Sequence, residues 1–135
     1  MSERLISFSI FQELLKTLIP ILKEVIILEK DAKFLDYNFI FIEVKKDLIG
    51  AIGFLSRGYN NFLTSQKINC YNLVREKLSN VQSNLIILNE LNVFSNEQRK
   101  IYFDILENNI IMCSHLIKKM ETKNKTKSVN SWLMI

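Results

Sequence analysis

The residues with the most reactive side chains are few: one histidine, His115, and two cysteines, Cys70 and Cys113. Cys113 and His115 stand two apart inside a helical pattern, so they point to different faces and do not pair as nucleophile and base. A di-iron bundle site needs Glu-x-x-His on one helix, and Met112 stands where that Glu would be. Helical-bundle ribonucleases of the HEPN type carry an Arg four to six residues before a His, and Asn109 and Ile110 occupy that window. The carboxylates are scattered, with no inward-facing pair on an apolar seam. No G-x-G-x-x-G or G-x-x-x-x-G-K run is present. The expected class is a non-enzyme without metal or cofactor, and the two cysteines read as buried, reduced thiols of a cytoplasmic protein.

What the chain does offer is positive charge, net +4, in two places. The middle holds Lys45, Lys46, Arg57, Lys67, Arg75 and Lys77 against Asp47 and Glu76. The C-terminal stretch holds Lys118, Lys119, Lys123, Lys125 and Lys127 against Glu121. The segments on either side of the basic middle are acidic. A basic middle and a basic tail are therefore the two places where an anionic partner is expected.

The elements that carry these residues are helical. With three Gly and one Pro in 135 residues, turn-dense all-β architectures are excluded, and 48% apolar residues suffice for one core. Helix 1 is expected from about Leu5 to Lys30, with Phe8, Phe11, Leu15, Leu18, Leu22 and Val25 as its seam and a kink near Lys16 from Pro20. Leu14, Ile21 and Leu28 form a second apolar row, and Ile19 and Ile26 begin a third. A helix apolar over most of its circumference in a four-helix bundle predicts self-association. Helix 2, about Asp36 to Phe62, has a seam of Tyr37, Phe41, Val44, Leu48, Ala51, Leu55, Gly58 and Phe62, and its three glycines read as close packing. Helix 3, about Lys67 to Leu91, buries Tyr71, Val74, Leu78, Val81, Leu85 and Leu88 and turns Asn72, Arg75, Ser79 and Gln82 outward. Ser95 and Gln98 form a capping box opening helix 4, which runs to about Met120 through Leu106, Cys113 and Ile117.

The fold class is therefore all-α: an antiparallel up-down four-helix bundle over residues 1–121 with a disordered basic tail over 122–135. That tail ends Trp132-Leu133-Met134-Ile135, an apolar segment suited to docking a partner's pocket. Glu3 and Arg4 interrupt the N-terminal stretch, and the apolar run Leu18–Leu22 is far short of the roughly 18–20 residues of a membrane span. Neither a signal peptide nor a membrane is expected.

Three stretches carry a family resemblance: Leu18-Ile19-Pro20-Ile21-Leu22; Lys33-Phe34 with Asp47-Leu48-Ile49; and Arg75-Glu76-Lys77-Leu78 through Leu91, followed by the Ser95 cap and Tyr102. Over about Phe11 to Met120 the chain resembles the Avd family, the four-helix-bundle accessory proteins of diversity-generating retroelements. More distantly, it is similar to the intervening-sequence proteins of bacterial 23S ribosomal RNA genes. Asp36-Tyr37-Asn38-Phe39-Ile40 departs from the Leu-Gly-x-Arg-Ile turn usual in the Avd family, and the Gly-Gly-Trp near the end of its helix 4 is absent. The resemblance implies a homo-oligomer, a pentameric barrel, that lacks catalytic activity and binds a reverse transcriptase together with RNA or an RNA/DNA hybrid during cDNA synthesis. The alternative reading is a protein–protein interaction bundle, antitoxin-like or a scaffold, docking its partner through the tail.

Overall fold

The computed structural model describes the backbone of residues 3–133 and the side chains of residues 8–124. Among the described residues there are four α-helices and no strand: α1 (Glu3–Glu29), α2 (Asn38–Asn60), α3 (Thr64–Glu90) and α4 (Asn96–Leu133), with a 3₁₀ segment (Ala32–Tyr37) between α1 and α2. The short connections make sequential helices antiparallel neighbours. Contacts are most extensive between α2 and α3 and between α3 and α4, fewer between α1 and α2, and thinnest between α1 and α4.

Each connection has a local cause. The Asp31 carboxylate accepts a hydrogen bond from the Lys33 N–H at 3.0 Å and starts the 3₁₀ segment, which sets the Phe34 ring 6.4 Å from that of Phe41. α3 ends in a Schellman motif. Asn92 takes φ 63°, the Asn92 N–H donates to the Asn89 carbonyl, and the Val93 N–H donates to the Leu88 carbonyl at 2.9 Å. Leu88 and Val93 are both buried, which is the apolar contact that completes this motif. Three residues on, Ser95 Oγ accepts from the Gln98 N–H at 3.1 Å while Gln98 Oε1 accepts from the Ser95 N–H at 3.2 Å, the expected capping box.

The core joins the predicted stripes of α2 and α3 to Leu106, Cys113 and Ile117 of α4. On α3 all six expected positions are buried. α1 differs: its buried stripe is Leu14, Leu18, Ile21 and Val25, drawn from two of its apolar rows. Leu15 and Leu22 are half-buried, and Phe8 lies exposed against Tyr59. α1 runs unbroken through Pro20, which lies with Lys16 on the outer side where water can reach the unpaired carbonyl. Gln82, expected outside, is buried, its amide donating to Glu107 Oε2 at 2.9 Å and to the Phe103 carbonyl at 3.3 Å. Gly58 is needed for packing, since a Cβ there would sit 2.9 Å from the Tyr71 ring. The backbone of α4 continues to Leu133, past Met120; of the tail expected to be disordered, the side chains of residues 125–135 lie outside the described residues.

Cys113 and Tyr71 meet in this core with Cys70 nearby. Burial pushes the Cys113 thiol from its ordinary 9.0 up to about 12, with Arg75 pulling the other way. Burial, then Cys113, Cys70 and Tyr59, push the Tyr71 hydroxyl from 10.0 to about 12. Both groups stay protonated in the folded chain where the unfolded chain already releases them. Stability is therefore complete below about pH 9 and falls as pH rises from there toward about 12. Urea midpoints across that range are expected to be flat up to about pH 9 and to drop above it. A midpoint unchanged at about pH 11 would contradict this.

Candidate nucleic-acid interface

The six basic residues of the middle segment differ in their surroundings, although Arg57 and Lys77 share the Phe54 ring, 5.0 and 5.8 Å from its centroid. Lys45 bridges both carboxylate oxygens of Glu29, at 2.8 and 2.7 Å, and so ties α2 to the end of α1. Lys67 donates to the Gly58 and Tyr59 carbonyls at 2.8 and 3.0 Å, neutralising the negative end of α2. Lys77 lies along Gly50, where a Cβ would be 2.8 Å from its Cδ, and reaches Asp47 at 3.9 Å. Arg75 is half-buried, with one guanidinium nitrogen donating to Asn72 Oδ1 at 3.1 Å and its buried Nε without a hydrogen-bond partner. Lys46 and Arg57 face outward on α2, Arg57 5.0 Å over the Phe54 ring. Thus Lys45, Lys67 and Lys77 hold the bundle together, and charge counting along the chain cannot reveal it.

The Lys77–Asp47 contact is long for an ion pair. Desolvation raises the Asp47 pKa above 3.8 despite Lys77, so the ionised carboxylate costs stability at neutral pH. That cost disappears as pH falls through the raised value, where the carboxyl protonates in the folded chain. Asp47→Asn is accordingly expected to match or exceed wild-type thermal stability at pH 7, with the advantage vanishing at about pH 3–4. A loss of more than about 1 kcal/mol at pH 7 would show instead that the pair is net stabilising.

α4 presents the second basic stretch differently. His115, Lys118, Lys119, Thr122 and Lys123 share one side of the helix at spacings of three and four and line a shallow concavity of about 540 Å³. Lys118 and Lys119 form no ion pair among the described residues, and both are exposed. The side chains of Lys125, Lys127, Trp132 and Leu133, and all of Met134 and Ile135, lie outside the described residues. Among those described, no group of three or more His, Cys, Asp or Glu could hold a metal ion. No helix among them is long and apolar enough to cross a membrane.

A second feature is apolar. The Lys45–Glu29 bridge and the stacked rings of Phe11 and Tyr59, centroids 5.2 Å apart, mark the line along which α1 and α2 meet. One helical step outside that line stand Ile19 and Ile26 on α1, 40% and 37% exposed, and Ile42 and Ile49 on α2, 47% and 59% exposed. The excess rows of α1 announced half of this flank. The Ile42–Ile49 seven-residue spacing was the available signal for the other half. Gly53, on the same outer side of α2, has nothing within 4 Å of where its Cβ would be, so no contact within the chain accounts for it.

Fold and site together define a class: an all-helical up-down bundle with a basic helix side and an uncovered apolar flank. In comparisons with protein-family models, curated proteins and solved structures, nothing matches this chain.

Proposed function

We propose that the chain is a non-enzymatic, homo-oligomeric bundle that binds RNA or an RNA/DNA hybrid along α4 and assists a retroelement reverse transcriptase in cDNA synthesis. The observation that carries nucleic-acid binding is the α4 side, where Lys118 and Lys119 are exposed without an ion pair among the described residues and Lys123 follows at helical spacing, while Lys45, Lys67 and Lys77 of the bundle's middle are held in contacts within the bundle. Self-association rests on the Ile19–Ile26–Ile42–Ile49 flank, with Gly53 as a place where a second helix can approach closely. The reverse transcriptase as partner rests on the resemblance carried by the Pro20 segment and the helix 3 stretch. An oligomer repeats a weak phosphate-binding side several times, so several modest contacts act as one multivalent surface.

The test is a structured-RNA titration at several salt concentrations. Three phosphate contacts per chain give a slope of log K against log salt near −2.7 for each copy engaged, with little dependence on RNA sequence. Absence of binding near physiological salt would overturn direct RNA recognition. The apolar flank would then favour the protein-docking reading, antitoxin-like or scaffold, over the accessory factor.

A further inference from the structure

On the side of α2 away from its buried residues, Phe39, Ile42, Lys46, Ile49 and Gly53 follow one another at steps of three and four. Phe39 is 67% exposed and makes no ring contact among the described residues. Gly53 closes the row with open space where its Cβ would be, whereas Gly50 packs against the Lys77 side chain and Gly58 against the Tyr71 ring. Proline apart, glycine disfavours a helix interior most, so Gly53 alone is left without a reason inside the chain. The row therefore has a bulky end and an empty end, about 21 Å apart by the helical rise.

Two such rows complement each other in only one direction. Parallel copies would set Phe39 against Phe39 and leave the two glycines facing across a gap. Antiparallel copies, with the two-fold axis level with Lys46, place each Phe39 at the other copy's Gly53. The same register puts Ile42 about 1.5 Å along the axis from the other copy's Ile49, and Lys46 about 4.5 Å from the other copy's Glu43. Glu43 and Lys46 are both exposed, and neither is in an ion pair within the chain among the described residues. A single charged residue in an otherwise apolar row fixes the register of paired helices. The area also suffices. At roughly 200 Å² for a whole side chain, the exposed parts of Phe39, Ile42, Ile49, Ile19 and Ile26 come to about 500 Å² per copy. A homodimer interface of roughly 800 Å² per partner, about 65% apolar, needs about that much.

Resting on the self-association reading above, we infer that α2 packs antiparallel on α2 of a second copy, each Phe39 seated at the other's Gly53. The contact uses the same face twice, so it closes at two copies and does not by itself build a ring of five. Gly53→Phe is expected to keep the helical content and to weaken association at least about tenfold by overfilling the contact. Phe39→Ala is expected to weaken it by at least about tenfold as well, through lost burial. The double variant Phe39→Ala, Gly53→Phe moves the bulk to the other end of the row, and its association is expected within about threefold of wild type. Sedimentation equilibrium reads all three. Register is read by mixing a Phe39→Cys chain with a Gly53→Cys chain and adding a short bismaleimide; Cys70 and Cys113 are buried, and the wild-type chain is the blank. The mixture is expected to cross-link, and neither chain alone. No cross-link in the mixture, a cross-link of either chain with itself, or a double variant as weak as the two changes combined would overturn the antiparallel pairing while leaving self-association standing. A wild-type chain that stays monomeric at tens of micromolar would overturn both and give the face to a partner of different sequence.

Discussion

Reversing Lys118, Lys119 and Lys123 together to Glu is expected to weaken RNA binding at least about a hundredfold at about 0.15 M salt. Each phosphate contact contributes about fivefold at that salt through counterion release, and three contacts multiply to that size before added repulsion is counted. The salt slope should fall by nearly three units per engaged copy at the same time. Folding should be untouched, because all three side chains are exposed and none lines the core. Lys46 and Arg57, also exposed but on α2, serve as the comparison. If their reversal costs as much as that of the α4 lysines, the interface lies on α2. An RNA affinity that survives the triple reversal would remove α4 from the reading altogether.

The double variant Ile26→Glu, Ile49→Glu is expected to turn the proposed oligomer into a monomer. Fully burying an exposed isoleucine contributes about 1.5–3 kcal/mol. Ile26 and Ile49, 37% and 59% exposed, together have about one such side chain left to bury. Losing both therefore removes roughly 2 kcal/mol before the cost of burying two carboxylates is counted. That is about thirtyfold in the association constant. Light scattering behind size-exclusion chromatography reads the change, and helical content by circular dichroism should stay constant because both positions are already exposed in the single chain. A wild-type chain that runs as a monomer at tens of micromolar would defeat the self-association part of the proposal. Retained size in the variant would move the interface elsewhere.

The sequence shows how unevenly such a fold can be read. The apolar stripe of α3 was legible, all six positions of it, because a single helical phase fits them. α1 was legible as a helix but not in its phase. With three apolar rows, periodicity admits several stripes, and only the neighbours α2 and α4 select Leu14, Leu18, Ile21 and Val25. Gln82 was misread because its partners, Phe103 and Glu107, come from a helix whose register the sequence does not state. The same holds for the charges. Lys45 finds Glu29, and Lys67 finds two carbonyls, only once the helices are in place. Phe62 looked like the last seam residue of helix 2, but α2 ends at Asn60 and the next heptad position falls in the link.

The thin contact between α1 and α4 bears on how the molecule opens. Its polar centre is Asn109, buried on α4, whose amide donates to Thr17 Oγ1 at 2.9 Å while Thr17 Oγ1 donates back to the Leu14 carbonyl at 3.0 Å. α2, α3 and α4 share the deeper interfaces and the Schellman and capping motifs, so they form the cooperative unit that persists longest. α1 is then the element whose amides exchange first, by swinging off without melting the other three helices. A second copy seated across the α1–α2 line would fasten that helix down, so assembly and the local opening of α1 oppose one another. The concentration of the chain would then set the exchange rate of its own first helix.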